Sequence, residues 1–299
     1  MHPNGNNHLL HIEDLYVVYG DKVVLDNIDL AVSLGELCTV VGPSGCGKST
    51  LLRTILGEER PTSGDILING EQVGFPNKSR GIVYQRYSLM PNLTAVENVK
   101  LGPKLCQSPW DYWSRGKDKE IHAEAMSYLE KVRLPEHADK YPHELSGGQQ
   151  QRVAIAQALI MKPEMILMDE PFGALDPATR QRAQIFLLEL WQEFNMTVFF
   201  VTHEIEEAVY LGTRILVLSP HYSDGRGGNC TARGSKIIAD YPLPRTASST
   251  VVKDQPEFRS MVNAIMQEGF NPKYLKHVNE FNLKHADSFQ TLKEEEAQK

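Results

Sequence analysis

Apolar residues in this chain first alternate with polar ones, then take a helical spacing, and finally gather in short unbroken blocks. Between residues 9 and 41 the alternation in DLYVVYG and VVLDNIDLAV is interrupted by Gly20-Asp21 and by Gly35, which predicts short strands joined by turns. Lys48 to Leu56 has helical spacing, and Gly64-Asp65 leads into a further strand pair with Asn69-Gly70 as its tight turn. From 94 to 162 the pattern is mostly helical. Ile121, Ala125, Tyr128, Leu129 and Val132 share one face, and Gly147 to Met161 reads as a helix that stops before Pro163. From Met165 the order is a buried strand MILMD, a helix carrying Leu187, Leu190, Trp191 and Phe194, the strand TVFFVT, a short helix and RILVLS. Continuous apolar runs separated by helices imply a parallel sheet covered on both faces. The predicted class is α/β, with a mostly parallel sheet, an N-terminal antiparallel β region and a helical subdomain inserted at about 88–162.

Residues 220–235, which include SDGRGGNCTARGS, are expected to form a mobile loop between two strands. Beyond Pro244 the composition shifts, so that 1–245 reads as one domain and 246–299 as a C-terminal helical extension. Phe258, Met261, Val262, Ile265 and Met266, opened by Pro256, make an amphipathic helix. It has three possible uses: packing on its own core, a place at a dimer interface, or binding a regulatory partner. The final KEEEAQK is expected to be solvated.

The 299 residues carry a net charge of -7, which gives no broad basic surface and makes nucleic acid or an anionic lipid face a poor default partner. Cys38, Cys46, Cys106 and Cys230 lack the paired spacing of a zinc site or a disulfide framework and read as free thiols of a reducing compartment. No apolar run approaches the roughly 20 residues that cross a bilayer, and MHPNGNNHLLHIED has no signal pattern. His2, His8 and His11 lie in that polar lead-in without other ligands and are expected to be solvent-exposed.

Against this background GPSGCGKST, Gly42 to Thr50, follows the apolar run Cys38 to Val41. It fits G-x-x-x-x-G-K followed by Ser or Thr, with Gly42, Gly47, Lys48 and Ser49 in the required places and Pro43, Ser44, Gly45 and Cys46 between them. Glycines let backbone N–H groups converge on phosphate oxygens, and a helix N-terminus adds positive partial charge. Lys48 supplies a point charge for the β and γ phosphates, and the Ser49 hydroxyl suits Mg²⁺. The core is therefore read as that of a P-loop nucleoside triphosphatase. MILMDE supplies the acids that such a loop needs: Asp169 to hold magnesium and Glu170 to orient and deprotonate the attacking water, or, more blandly, to cap the helix after Pro171. A guanine-reading Asn-Lys-x-Asp is missing from the sequence, since Asn77-Lys78 is followed by Ser79-Arg80. GTP is disfavoured.

In HELSGGQQQRVAIAQAL, Ser146, Gly147 and Gly148 open a helix and offer a second anion site. Here the sequence resembles the ATP-binding subunits of ABC transporters. Leu145 to Gln149 coincides with the family signature LSGGQ. Gln85 in GIVYQ matches the loop glutamine, Ala174-Leu175-Asp176 the D-loop, His203 in FVTHE the switch histidine, and Tyr19 before Gly20 the aromatic that stacks on adenine. Taken singly, Gln85 also fits a plain strand end, Tyr19 strand packing and His203 a helix cap. The resemblance covers roughly residues 9 to 240, with no departure in its core motifs.

The resemblance implies two such domains facing head to tail, each ATP lying between the phosphate loop of one and the signature helix of the other. It implies that Ser146, Gly147, Gly148, Gln149 and Asp176 serve nucleotide held by a partner domain. Ser49, Gln85 and Asp169 would hold Mg²⁺, and Glu170, His203, Gln85 and Lys48 would carry hydrolysis. The expected partners are a second ATP-binding subunit, integral membrane permease subunits and, indirectly, an extracytoplasmic solute-binding protein, with the chain peripheral at the cytoplasmic face of the membrane. Tyr87, Leu89, Met90 and Leu93 in RYSLMPNLTAVENVKLG stand where the family docks its membrane subunit, or else pack within the helical insertion. Trp110, Tyr112 and Trp113 extend that contact or fold back. PFGALDPATR and VTHEIEEAVYLGTRILVLS look most like the nitrate, sulfonate, taurine and bicarbonate importer group. The alternative from another class is an ATP-switched clamp on nucleic acid or ribosomes, disfavoured by the acidic charge and the lack of a long coiled-coil insertion.

Overall fold

The computed structural model describes residues 8–86, 88–107, 115–226, 233–243, 253 and 255–298. Contacts divide the chain into two units, Met1–Pro76 with Leu188–Lys299, and Asn77–Leu187. The first opens with β1 (His8–Tyr19), β2 (Lys22–Ser33), β3 (Leu37–Val41), α1 (Lys48–Leu56), β4 (Ser63–Ile68) and β5 (Glu71–Gln72). The second holds β6 (Arg80–Val83), α2 (Ala95–Leu105), α3 (Arg115–Lys131), α4 (Gly147–Leu159) and β7 (Met165–Asp169). The chain returns through α5 (Pro177–Phe194) to β8 (Thr197–Val201), α6 (Ile205–Leu211), β9 (Arg214–Ser219), β10 (Tyr222–Ser223) and β11 (Lys236–Pro242). α7 (Pro256–Phe270), β12 (Lys276–His277), β13 (Asn282–Leu283) and α8 (Glu294–Ala297) complete the first unit.

In the first unit the alternating segment becomes an antiparallel sheet in the order β2-β1-β4-β5. A second sheet has β3 between β8 and β9, both parallel to it, while β11 runs antiparallel to β9 and β13 parallel to β11. Every residue of β3, β8 and β9 is buried, as their unbroken apolar runs require of strands covered on both faces. The one charged residue of β9 is paired there: the Arg214 guanidinium donates twice to the Asp240 carboxylate, at 2.8 and 2.6 Å, so neither buried charge is left alone.

In the second unit β6 and β7 pair in parallel, and α2 packs on α3 and α4. The face predicted for α3 is the buried one, since Ile121, Ala125, Tyr128, Leu129 and Val132 are all in the core. α2 begins with a reciprocal cap: the Glu97 N–H donates to Thr94 Oγ1 and the Thr94 N–H to the Glu97 carboxylate. Buried Asn98 then fastens the preceding segment, accepting from the Met90 N–H at 2.7 Å and donating to the carbonyls of Met90 and Leu93.

Three expectations are corrected. Residues 220–226 are not a mobile loop: Tyr222 is fully buried, and Arg226 makes ion pairs with Asp26 and Asp224. Residues 227–232, with Cys230, lie outside the described residues, as do His2, Tyr87, Trp110, Tyr112, Trp113 and Pro244. Residues 246–299 are not only helical, because β12 and β13 pair with β10 and β11. KEEEAQK is not fully solvated either, for Glu296 is 1% exposed. At 220–226 and in KEEEAQK polar composition suggested solvent, while counter-charges from other elements make burial tolerable. Of the uses open to α7, packing on its own core is the one observed: it lies against α6, β9 and β11, and Ser219 Oγ donates to the Gly269 carbonyl at 2.8 Å.

Candidate functional site

The phosphate-loop pattern leaves β3 at its carboxyl end. Register makes this a shared exit: Val40 pairs with Val201 and Val41 with Val217, so Gly42, His203 and the end of β9 emerge from adjacent strands. The glycine at 42 is dictated by close approach, since a Cβ there would stand 2.0 Å from the Leu218 carbonyl oxygen. Gly47 has φ +98 and caps α1 with no side chain, so the helix N-terminus is turned bare toward the loop. Lys48 is only 7% exposed and its ammonium donates to the carbonyls of Gly42 at 2.8 Å and Pro43 at 3.2 Å. A buried cation is thus already held against the loop. Ser49 and Thr50 follow in the first turn, half-buried, and Ser44 and Gly45 are exposed. Burial raises the Cys46 thiol, which is therefore a neutral packing residue rather than a ligand.

Tyr19 ends β1 and is 44% exposed. Partial burial and the neighbouring Glu59 raise its phenol while the Thr50 hydroxyl bonds to it, which places this aromatic beside the loop. His203 is exposed and 3.5 Å from Glu204, and it is not the helix cap, because Glu204 holds that position in α6.

In the second unit the same logic brings another pair together. Val83 pairs with Met168, so Gln85 and Glu170 leave neighbouring parallel strands at the same end. The Gln85 amide nitrogen lies 3.1 Å from where a Cβ on Gly173 would sit, and the Gly173 N–H donates to the Glu170 carbonyl. Glu170 has φ +47, in the left-handed region, a strain of about 1 to 3 kcal/mol for a non-glycine residue. Asp169 is half-buried at the end of β7. Asp176 is exposed and accepts the Thr179 N–H at 3.1 Å, so it caps α5, and its hydrogen bonds with Thr179 lower its carboxyl.

Ser146 caps α4 with the same reciprocity as Thr94: its hydroxyl accepts the Gln149 N–H at 3.3 Å, and its own N–H donates to Gln149 Oε1 at 2.8 Å. Ser146 and Gly147 are exposed, Gly148 and Gln149 half-buried. Accepting from Gln149 leaves the hydroxyl its proton to give to an anion. A cavity of about 260 Å³ opens beside this helix end, lined by His137, Arg152 and Arg182 among others. Sequence reading missed this meeting of side chains, because they come from three separate elements and no local spacing links them. Of the expected docking residues, Met90 is 46% exposed and Leu89 and Leu93 are half-buried.

Ser49 in the first unit, and Gln85 and Asp169 in the second, each offer a hard oxygen donor, the type that suits magnesium rather than a soft metal. Among the described residues no helix is long and apolar enough to cross a membrane.

Residues 25–173 match the ABC transporter family. An ABC transporter ATP-binding protein of Methanocaldococcus jannaschii is 47% identical over 265 residues, covering 87% of this chain and 92% of that protein. The nitrate import ATP-binding protein of Synechocystis sp. is 44% identical and covers 70% of this chain and 77% of its own length. Among solved structures, cbiO1 from Clostridium perfringens, part of the ABC transporter complex cbiONQ, superposes with a TM-score of 0.62 at 28% identity, covering 71% of this chain and 84% of that one.

Proposed function

Because the chain belongs to the ABC transporter family as an ATP-binding ATPase subunit, we propose that it drives an import system in which ATP closes a dimer of such subunits and hydrolysis reopens it. One observation carries this reading. The signature helix presents Ser146 and Gly147 exposed, with a hydroxyl proton to give, so a phosphate held by another molecule can reach them. Lys48 and the loop N–H groups of Gly42 to Thr50 would hold the phosphates of one ATP, Tyr19 its adenine, and Ser146 to Gln149 of the second subunit its γ-phosphate. Only a triphosphate bridges the two, which is the differential contact that a two-state switch requires.

Glu170 takes the proton of the water that attacks phosphorus, and the bond to the β-phosphate oxygen breaks. His203 and Gln85 orient the water and the γ-phosphate, and Asp176 lies at the partner-facing turn. Magnesium, when bound through Ser49, Gln85 and Asp169, supplies charge compensation for the phosphate oxygens. The chain works peripherally at the cytoplasmic face of the membrane, with permease subunits and an extracytoplasmic solute-binding protein. The solute belongs to the nitrate, sulfonate, taurine or bicarbonate class, a reading supported by the nitrate import relative.

Glu170→Gln should lower turnover by about 10² to 10⁴ while Mg-ATP still binds, and should trap a dimer visible by light scattering. A monomer at saturating Mg-ATP, even beside its membrane partners, would overturn the reading. Replacing Leu89 and Met90 by aspartate should uncouple transport in proteoliposomes but spare basal hydrolysis. Retained transport would remove these residues from the docking surface.

A further inference from the structure

The buried charges behind the phosphate loop have no part in the chemistry above. Glu296 Oε1 lies 3.0 Å from Lys236 Nζ and 3.1 Å from Arg226, and its other oxygen accepts from Asn27 Nδ2 at 3.3 Å. The Glu296 carbonyl accepts the Gly225 N–H at 3.1 Å. Thr291 bonds through its backbone to both Asn27 and Asp29, and Ser33 Oγ donates to Asp287 at 2.9 Å. Residues 287–296 are thereby fastened along β2 from Asn27 to Ser33.

The same strand backs the nucleotide loop. A Cβ on Gly47 would lie 2.9 Å from both Leu25 Cδ2 and Val24 Cγ1, so these side chains form the floor under the loop's last glycine. Ser235 brackets that floor, donating its N–H to Val24 and accepting that of Asp26. Arg226 donates to both oxygens of Asp26, at 3.1 and 2.8 Å, and Tyr222 donates to Asp26 at 2.7 Å. Three carboxylates, Asp26, Asp224 and Glu296, thus meet three cations, Arg226, Arg233 and Lys236. Among the described residues Glu296 is the only carboxylate within ion-pair distance of Lys236, which is itself 1% exposed, and Asp26 acts on that ammonium from farther off. A buried ammonium without its partner forces the surrounding structure to move or admit water. The residue next to Lys236 is Ser235, which brackets the floor.

We propose that residues 287–296 act as a strap that sets β2 against the phosphate loop, with Glu296 as its positioning residue, so that affinity for Mg-ATP depends on the strap being seated. This rests on Gly42 to Thr50 being the nucleotide loop. The test measures Kd, KM and kcat for Mg-ATP on the full chain, on Glu296→Gln, on the double variant Lys236→Met with Glu296→Met, and on a chain ending at Lys284. Glu296→Gln should raise Kd and KM about five- to tenfold while kcat stays within about twofold. The double variant, which removes the orphaned cation with its partner, should return both constants to within about twofold of the full chain. A peptide of residues 285–299 should restore affinity to the shortened chain. If that chain does not fold, the two full-length variants still decide. Unchanged Kd and KM in Glu296→Gln, or a loss not recovered in the double variant, would overturn the strap. Failure of the underlying reading has a separate signature, because Lys48→Ala would then leave Kd for Mg-ATP unchanged.

Discussion

The phosphate loop and the signature end are both glycine-rich helix starts, yet they are finished in opposite ways. At α1 the cap residue is Gly47, with no side chain; Lys48 is buried and bonded to loop carbonyls, and Gly42 is wedged against the Leu218 carbonyl. At α4 the cap is Ser146, which exchanges hydrogen bonds with Gln149 and stands in the open. One end has its own cation and leaves its helix N–H groups for a ligand. The other satisfies its own backbone and offers a hydroxyl proton, two glycines and the arginines Arg152 and Arg182 of the adjoining cavity. The difference supports the proposed reading, in which the first end binds a phosphate within one chain and the second touches a phosphate held by another subunit.

The largest expected effect separates the two ends. Ser146→Arg should lower turnover by about 10² to 10³, the usual cost of losing a donor to developing phosphate charge, while Mg-ATP affinity of the isolated chain stays within about twofold. Lys48→Ala should instead weaken Mg-ATP binding by about 10- to 100-fold in that same isolated chain, as loss of a charge-assisted contact implies. Equilibrium binding on monomer together with steady-state turnover reads both, and equal losses of affinity in the two variants would erase the distinction.

A smaller effect sharpens the account of what stands behind the loop. Burial opposes ionisation of Asp26, but Arg226, Lys236 and Tyr222 outweigh it and hold the carboxyl below its ordinary value. A lowered carboxyl contributes stability above the unfolded-state pKa and loses it as pH falls through the folded value. Asp26→Asn should therefore destabilise by about 2 to 4 kcal/mol near pH 7. The gap in Tm between the two proteins should narrow below about pH 4. A gap that stayed constant down to pH 3 would show that Asp26 does not carry its charge in the network.

The site was legible where its chemistry is contiguous. Gly42 to Thr50 follows one strand and opens one helix, and backbone sterics near Gly42 and Gly47 admit little else there. Asp169 and Glu170, proposed for the site, could be located for the same reason, Asp169 closing the largely buried strand β7 and Glu170 following it. What no spacing disclosed was the unusual backbone at Glu170, or the meeting of His137, Arg152 and Arg182 beside Ser146. The fold was read well where period carried it, in α3 and in the three buried strands of the parallel sheet. It was read poorly where charge carried it, at residues 220–226 and in KEEEAQK.

By itself, then, the sequence determined the elements and the phosphate-gripping loop, because helical and strand periods and glycine's steric freedom act over a few residues. Only the tertiary structure decided the fate of Glu296. Whether a carboxylate can leave water depends on which cations meet it, and Arg226 and Lys236 reach it only when β10, β11 and α8 have been brought together.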